Sequence, residues 1–262
     1  MLPFERLRSI ARSPGIADQE LAIEVAECFA HYPIDSAQLV MIARRLLSHR
    51  RSCGALWWVC SRVVVATDPQ AAALEAIKKL ESDPTATRLS ASLPFPADSP
   101  VAALGWTDTI HSALVDRTDL DVVVIPRSVG DKRLAQYLNR LELPFRVGDG
   151  DLSDPSHLLV EATVASPTLA QVPIGTIDLK ATYPRAALWL VLAQGCLLPD
   201  KMYAVAVAEP SSNDRLNDLE NNDYEQIEIT QADRIATPVG IITPERVSKN
   251  LDCPVAPELL RL

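Results

Sequence analysis

The stretch PVAALGWTDTIHSALVDRTDLDVVVIPRSVGDKRLAQYLNRLELPFRV, residues 100–147, decides the fold. Its elements alternate in type: an apolar run that ends at Gly105, a helical pattern opened by Thr107 and Asp108, an apolar run from Val122 to Ile125, a second helical pattern from Gly130, and a short strand from Phe145 to Val147. Strands that alternate with helices through short connections are typical of parallel pairing in an α/β sheet. Because ligands of such sheets lie beyond the carboxyl ends of the strands, the stretch also predicts where a site lies.

The composition is that of an ordinary globular protein. The chain has 262 residues, 48% of them apolar, and a formal charge of −9 from 25 basic and 34 acidic residues. Since no concentrated basic stripe is present, we expect no direct binding to nucleic acid. No apolar run approaches the roughly 20 residues of a membrane-spanning helix, and the charged start MLPFERLRSIARSP differs from a signal peptide. We therefore expect a cytoplasmic protein that does not contact a membrane.

No motif for a metal, a cofactor or a redox reaction is present. The five cysteines are an odd number without paired ligand spacing, which favours reduced, structural thiols. A local concentration of positive charge at residues 44–51 lies on a helical pattern, where a solvated helix face or a contact with an acidic partner is expected. The chain has nine glycines and contains neither G-x-G-x-x-G nor a Walker loop, so we expect no cofactor and no metal.

The hydrophobic period changes near Asp83 and predicts two domains. Residues 1–83 are helical in pattern, with Asp35 or Ser36 and then Asp68-Pro69 opening two of the helices, and form a predicted N-terminal helical bundle. Residues 84–262 form a predicted Rossmann-like α/β domain with a mostly parallel sheet. Its strands are predicted in TRLSASLPF (87–95) and, further along, at 157–160, 170–173, 187–192, 226–229 and 239–242. The polar segment 210–223 is expected to be a surface loop or a locally disordered insertion.

The turn from Gly105 to Thr109 is the first candidate site. A helix begins there, and its unpaired backbone N–H groups with their partial positive charge favour a phosphate. The hydroxyls of Thr107 and Thr109 would add hydrogen-bond donors. The alternative is that Thr107 only caps the helix, since Asp108 would repel an anion.

Two later turns are further ligand-binding candidates. Arg127 follows the strand that ends at Ile125 and could bind a phosphate or carboxylate in bidentate fashion, or else form a surface ion pair with a nearby aspartate. Gly175 and Thr176 stand where a predicted strand passes into a helix, so backbone N–H groups there could face the same crevice. The alternative is that Gly175 is present only to make the turn.

Glu161 is the best-placed acid for catalysis. It ends the predicted strand HLLVE, and an acid at a strand terminus in a cleft can act as a general base or hold a ribose hydroxyl. The alternative is local capping or pairing. His111 and His157 have no nucleophile partner in the sequence and are expected to be structural or surface histidines.

The order of these parts resembles the family of translation initiation factor 2B alpha, beta and delta subunits, which is related to the isomerases of methylthioribose 1-phosphate and ribose 1,5-bisphosphate. The motifs that carry the resemblance occur in the same order along the chain: Thr107 to Thr109, Arg127 with Gly130, Val160-Glu161-Ala162-Thr163, Val172-Pro173-Ile174-Gly175-Thr176, and the closing segment Tyr224 to Thr243. The resemblance implies a helical domain followed by a Rossmann-like domain of the NagB/RpiA/CoA transferase-like kind. It also implies an oligomer, for which we expect a homodimer.

The departures from the family pattern concern catalysis. The resemblance places Thr163 where the isomerases have the catalytic aspartate of Gly-Ala-Asp, and no cysteine here has the context of their catalytic cysteine. Val172-Pro173 replaces the Asn-Lys of a later motif, which removes a charge and a donor. Each lost proton-transfer group typically supplies roughly 10² to 10⁴-fold in rate. The sequence thus favours a non-catalytic or strongly diverged member.

Three hypotheses follow from the sequence. The first is a non-catalytic, oligomeric regulatory subunit that binds a phosphorylated sugar or nucleotide at Thr107, Thr109, Arg127, Gly175 and Thr176. The second is an aldose–ketose isomerase of a sugar phosphate that uses Glu161 as its base. The third is a purely structural partner protein without a ligand.

Overall fold

The computed structural model describes residues 17–32, 35–92, 100–126, 145–148, 154–208 and 223–262. Arg127, the helical pattern from Gly130 and most of the polar segment 210–223 lie outside this part of the chain. Within it, none of the helices combines the length and the apolar character needed to cross a membrane.

Among the described residues, five helices precede the sheet, in the order α1 Asp18–His31, α2 Ser36–His49, α3 Gly54–Val65, α4 Pro69–Glu81 and α5 Thr85–Ser92. Two of them begin as the sequence predicts. The Asp35 carboxylate accepts a hydrogen bond from the Gln38 N–H (2.9 Å) at the start of α2, and the Asp68 carboxylate accepts one from the Ala71 N–H (3.0 Å) at the start of α4. These caps satisfy backbone donors that have no partner within the helix.

Helix α3 is the centre of the helical core. Trp57 and Trp58 are fully buried there, and the Trp58 Nε1 donates a hydrogen bond to the Asp252 carboxylate (2.9 Å) near the C-terminus. The same core contains apolar side chains from the C-terminal half of the chain: Val164, Leu198, Met202, Tyr203, Ala206, Cys253, Ala256 and Leu259. The helices therefore share their hydrophobic core with residues that follow the predicted boundary at Asp83, and the boundary itself stays a prediction.

The segment TRLSASLPF was predicted to be a strand, and this prediction is wrong for Thr87 to Ser92, which belong to α5. The cause is capping and burial. The Asp83 carboxylate accepts hydrogen bonds from the N–H (2.9 Å) and the hydroxyl (2.5 Å) of Thr85, which starts a helix. Thr85 and Leu89 are both buried, as expected for residues four apart, which lie on one face of a helix. The apparent two-residue alternation of the sequence obscured this helical spacing.

The strands and remaining helices follow in chain order: β1 Pro100–Leu104, α6 Asp108–Leu114, β2 Asp121–Ile125, β3 Phe145–Val147, β4 His157–Glu161, β5 Val164–Ala165, β6 Leu169–Pro173, α7 Thr176–Thr182, β7 Ala187–Val191, α8 Asp200–Ala206, β8 Tyr224–Glu228, β9 Arg234–Thr237 and β10 Gly240–Ile242. Short 3₁₀ helices lie at Ile229–Gln231, Pro244–Asn250 and Pro257–Leu260.

In the described part of the chain, the main sheet has seven strands in the order β10-β9-β7-β4-β1-β2-β3. All neighbouring pairs are parallel except β10 with β9. The predicted α/β fold with a mostly parallel sheet is therefore confirmed. Strand β9 was not predicted, because its four residues begin with the exposed Arg234 and leave only a short apolar pattern.

Side chains on both faces of this sheet are buried, which explains the continuous apolar runs. One face, which includes Val101, Ala103, Leu159 and Trp189, packs against α5 and α6. The other face packs against a second, three-stranded antiparallel sheet of order β5-β6-β8. Strand β6 was predicted as a strand, but it belongs to this small sheet and not to the parallel one.

Candidate functional site

A cleft of about 550 Å³ lies at the carboxyl end of the parallel sheet. Its walls come from both halves of the chain, in the stretches 17–19, 50–55, 105–109, 161–163, 193–196 and 223–224, with Pro173. The sheet contributes the ends of the adjacent strands β1 and β4, and the helical part contributes the starts of α1 and α3. A cleft of this size can enclose a small metabolite.

The turn after β1 forms one wall of the cleft. Gly105 has φ of 78°, a value that side chains rarely allow, and it redirects the chain at the end of the strand. The Thr107 hydroxyl then accepts a hydrogen bond from the Ile110 N–H (3.3 Å) and caps α6. Capping, the alternative role considered for Thr107, is therefore observed.

Glu161 faces this turn, because β4 pairs with β1 in parallel register. The Thr107 hydroxyl donates a hydrogen bond to Oε2 of Glu161, and the Thr109 hydroxyl donates one to Oε1 (2.9 Å). The structure thus brings together three of the predicted site residues, Thr107, Thr109 and Glu161, and holds the carboxyl group at both of its oxygens.

The protein environment raises the pKa of Glu161 to about 7. The largest cause is removal of the carboxyl group from water, which disfavours its charged form. The hydrogen bonds from Thr107 and Thr109 act in the opposite direction, and the carboxylates of Asp83 and Asp108 add to the rise. The carboxyl group therefore holds its proton more tightly than a glutamic acid in water does.

Two buried thiols, Cys53 and Cys196, also line the cleft. Burial is the main reason that the pKa of each thiol lies well above its usual value, with Asp18 contributing at Cys53 and Glu161 at Cys196. Both groups remain protonated at neutral pH and are poor nucleophiles in that form. The prediction of reduced thiols fits this arrangement.

Helix α3 begins in contact with the strand end that carries Glu161. The Gly54 N–H donates a hydrogen bond to the Thr163 carbonyl (3.0 Å). A Cβ at Gly54 would lie 2.7 Å from that carbonyl oxygen and 2.9 Å from the Cys196 Cα, so only glycine allows the approach. Thr163 itself lines the cleft, and its hydroxyl donates to Oε1 of Gln171 (3.3 Å).

Gly175 and Thr176 lie elsewhere. They follow β6 of the antiparallel sheet, so the rule for the carboxyl ends of parallel strands does not apply to them, and neither is among the described residues that line the cleft. The Thr176 hydroxyl donates to the Pro173 carbonyl (2.7 Å), and the Ile177 N–H donates to the Glu225 carboxylate (2.9 Å). Their ligand-binding role stays a prediction, as does that of Arg127, which lies outside the described residues.

Several lining residues were not predicted. Arg50 and Ser52 precede α3, Gln194 follows β7, and Asp223 precedes β8. Arg50 belongs to the basic cluster that the helical pattern assigned to a solvated face or an acidic partner. Its place in the cleft depends on how the helices pack on the sheet, and no local motif indicates this packing. The glycine at the start of α3 was the available signal, since it marks a close backbone approach.

In the described part of the cleft, acidic side chains outnumber basic ones. Among the described lining residues the acidic side chains are Asp18, Asp108, Glu161 and Asp223, and Arg50 is the only basic one. In the same part of the chain, no group of three or more His, Cys, Asp and Glu side chains is arranged to hold a metal ion.

No family model matches the chain, and no curated protein matches it by sequence. Solved structures do match over nearly the whole chain. The translation initiation factor eIF-2B of Pyrococcus horikoshii OT3 is 17% identical, with a TM-score of 0.72, and the match covers 93% of this chain and 98% of that one. A chain of the tetrameric eIF2B-β2-δ2 complex from C. thermophilum is 12% identical, with a TM-score of 0.62, over 94% of this chain and 92% of that one.

The eIF-2B delta subunit of A. fulgidus is also 12% identical, with a TM-score of 0.56, over 94% of this chain and 91% of that one. These values establish that the chain has the fold of eIF2B subunits. The fold implied by the sequence resemblance is therefore confirmed.

Proposed function

We propose that the protein is a diverged relative of the eIF2B subunits that binds a phosphorylated sugar or nucleotide in the cleft and acts as an oligomeric, regulatory, cytoplasmic subunit. The observation that carries this proposal is the carboxyl group of Glu161, held by the hydroxyls of Thr107 and Thr109 in the wall of a cleft of about 550 Å³. Polar groups that converge in a cleft at the carboxyl end of a parallel sheet are typical of a small-molecule site.

A non-catalytic role agrees with the other groups in the cleft. An aldose–ketose isomerase moves a proton between neighbouring carbons and needs placed acid and base groups. The sequence resemblance assigns the position of the catalytic aspartate to Thr163, which has no carboxyl group. The thiols of Cys53 and Cys196 stay protonated because burial raises their pKa. Glu161 is thus left without the two partners that the related isomerases use.

The oligomeric part of the proposal comes from the structural neighbours. One of them is a chain of a tetrameric complex of beta and delta subunits. By analogy we expect this chain to form a homodimer at least. Light scattering at micromolar concentration tests this part, and a monomer there would contradict it.

A specific observation favours isomerase activity as a second candidate. The pKa of Glu161 is raised to about 7, and a general base works best when its pKa lies near the working pH. In this alternative Glu161 would take the proton from the carbon next to the sugar carbonyl.

The substitution Glu161→Gln separates the two candidates. The wild-type protein and the variant are titrated with ribose 5-phosphate, ribose 1,5-bisphosphate and AMP in a thermal-shift assay, because a ligand that binds only the folded state raises stability by RT ln(1 + [L]/Kd). The same samples are assayed for aldose–ketose conversion by NMR. A binding protein shows a thermal shift in the wild type, a smaller shift in Glu161→Gln because one acceptor oxygen is lost, and no conversion in either form.

An isomerase instead shows conversion that falls by roughly 10² to 10⁴-fold in Glu161→Gln. Glu228→Gln is the matched control, since Glu228 is exposed on β8 and does not line the cleft. If none of the three compounds shifts the melting temperature of the wild-type protein, the ligand-binding proposal is wrong.

A further inference from the structure

We propose that Asp83 is a positioning residue of the cleft: from outside its walls it holds the turn at Gln194 in place and keeps a negative charge close to Glu161. The inference rests on the proposed function only in taking the cleft as the site of the protein, and its test needs no ligand. Asp83 lies between α4 and α5, is half-buried and is not among the described residues that line the cleft.

Both oxygens of the Asp83 carboxylate accept hydrogen bonds, and the donors come from different parts of the chain. Oδ1 accepts the N–H (2.9 Å) and the hydroxyl (2.5 Å) of Thr85, the first residue of α5. Oδ2 accepts the N–H of Gln194 (2.7 Å), 111 positions further along the sequence. Hydrogen bonds to a carboxylate are stronger than those between neutral groups. Asp83 therefore fixes the start of α5 and the turn after β7 relative to each other.

The turn that Asp83 contacts, residues 193–196, forms one wall of the cleft. Its second half is held by two other elements. Gly195 packs against the start of α3, where an added Cβ would lie 3.1 Å from a backbone atom, and the Cys196 carbonyl accepts a hydrogen bond from β5 (2.8 Å). The first half is held at the Gln194 N–H by the bond to Asp83. Loss of this bond should therefore loosen the wall at Gln194.

The charge of Asp83 acts on the carboxyl group of Glu161. Burial is the main reason that the pKa of Glu161 is raised, and the carboxylates of Asp83 and Asp108 raise it further. The hydrogen bonds from Thr107 and Thr109 act in the opposite direction. A second negative charge nearby makes a carboxyl group hold its proton more tightly. Asp83 thus favours the protonated form of Glu161, which donates a hydrogen bond as well as accepting one.

The experiment follows the Gln194 amide and the Glu161 carboxyl group by NMR in variants of the full chain. Asp83→Asn removes the charge and the carboxylate acceptor of the Gln194 N–H. We expect this amide to exchange with solvent at least about tenfold faster than in the wild type, because its hydrogen bond to a charged group is lost. We expect the pKa of Glu161 to lie below the wild-type value of about 7, because a neighbouring negative charge is removed.

Two control variants separate these effects from a general loss of stability. Thr85→Val removes the hydroxyl that contacts the other oxygen of Asp83 and keeps the charge. Glu81→Gln removes a negative charge at an exposed position two residues before Asp83. Both controls should leave the exchange of the Gln194 amide and the pKa of Glu161 as in the wild type.

Asp83→Ser repeats the test with a residue that can still form the local bond to the Thr85 N–H, as serine does at turns. It should show the same two changes as Asp83→Asn. A wild-type value of either quantity in both variants would overturn this inference and leave the proposed function intact. Equal changes in Thr85→Val would overturn it as well, since they would reflect only a loosened start of α5. Failure of the thermal-shift screen, by contrast, affects the proposed function alone.

Discussion

Two turns of this chain are alike in sequence and in backbone, and yet they lie in different surroundings. Gly105, with φ of 78°, and Gly175, with φ of 92°, each follow a strand by one or two residues, come one or two residues before a threonine and lead into a helix of seven residues. The first turn meets Glu161 in the wall of the cleft. The second follows a strand of the small antiparallel sheet, and its first helical turn is occupied by the Glu225 carboxylate.

The difference shows that the sheet to which such a turn belongs decides whether the turn meets the carboxyl end of a neighbouring strand. Parallel strands bring all their carboxyl ends to one edge, so the turn after β1 and the end of β4 meet there. Antiparallel neighbours alternate in direction, so the end of β6 lies beside the start of β8 at Tyr224 and not beside the carboxyl end of that strand. We therefore expect changes at the first turn to affect both the cleft and stability, and changes at the second turn to affect stability alone.

The largest expected loss of stability comes from a change at Gly54, where α3 begins in contact with the residues that follow β4. Gly54→Ala places a Cβ within 3 Å of two backbone atoms, the Thr163 oxygen and the Cys196 Cα, which cannot give way as a side chain could. We expect the free energy of unfolding, measured with urea, to fall by about 3 kcal/mol.

Gly240→Ala is the control for this change. Its φ of 135° strains an alanine, but the nearest atom to the new Cβ is a flexible arginine nitrogen at 3.6 Å. We expect the free energy of unfolding of Gly240→Ala to fall by about 1 kcal/mol. Equal losses in the two variants would show that α3 does not depend on close contact with the cleft wall.

The second effect concerns the pH dependence of stability. Glu161 has a pKa of about 7 in the folded protein and an ordinary value of 4.5, so the folded state binds its proton more tightly than the unfolded state does. The contribution of Glu161 to stability is therefore full below about pH 4.5 and is lost as the pH rises through 7. Between pH 5 and pH 8 the free energy of unfolding of the wild-type protein should fall by about 2 kcal/mol more than that of Glu161→Gln.

Urea unfolding of both proteins at several pH values measures this difference. Glu228→Gln serves as the control and should follow the wild-type curve over the whole range. A Glu161→Gln curve that runs parallel to the wild-type curve would mean that Glu161 titrates as an ordinary, solvated acid.

The third effect compares one hydroxyl at each turn. Thr109→Val removes a donor to Glu161, and Thr176→Val removes a donor to the Pro173 carbonyl. Each change should cost about 1 kcal/mol of stability. The pKa of Glu161, followed by NMR of labelled glutamate carboxyl groups, should rise further in Thr109→Val and stay at its wild-type value in Thr176→Val. A rise in both variants would contradict the separation of the two turns.

The smallest effect is expected at the start of α7. Glu225→Gln removes a negative charge from a helix N-terminus and should lower the free energy of unfolding by about 0.5 kcal/mol. We expect the affinity for ribose 5-phosphate to remain unchanged, as measured by calorimetry. Tighter binding of the phosphate in this variant would show that the turn at Gly175 is an anion site that Glu225 normally fills.

The regular part of the fold could be predicted from the sequence. Strands β1, β2, β4 and β7 are buried on both faces and therefore appear as apolar runs, and α2 and α4 start at caps that the sequence shows directly. The partners of β6 could not be predicted, because a five-residue apolar run does not reveal whether its neighbours are parallel or antiparallel.

The site was predictable only where the carboxyl ends of parallel strands form it. The turn at Thr107 and the strand end at Glu161 follow from the rule for parallel strand ends, and the structure places them in contact. Arg50 and Cys53 could not be predicted, since they enter the cleft only because α3 packs on Thr163, a contact across more than 100 positions of sequence.

Amide hydrogen exchange with and without saturating D-ribose 5-phosphate tests the central claim most directly, because it reports on both turns in one sample. We predict slower exchange at residues 105–110 and 161–163 when the compound is bound, and unchanged exchange at residues 174–178. Protection at 174–178 without protection at 105–110, or no protection in either turn, would contradict the assignment of the ligand to the cleft at Glu161.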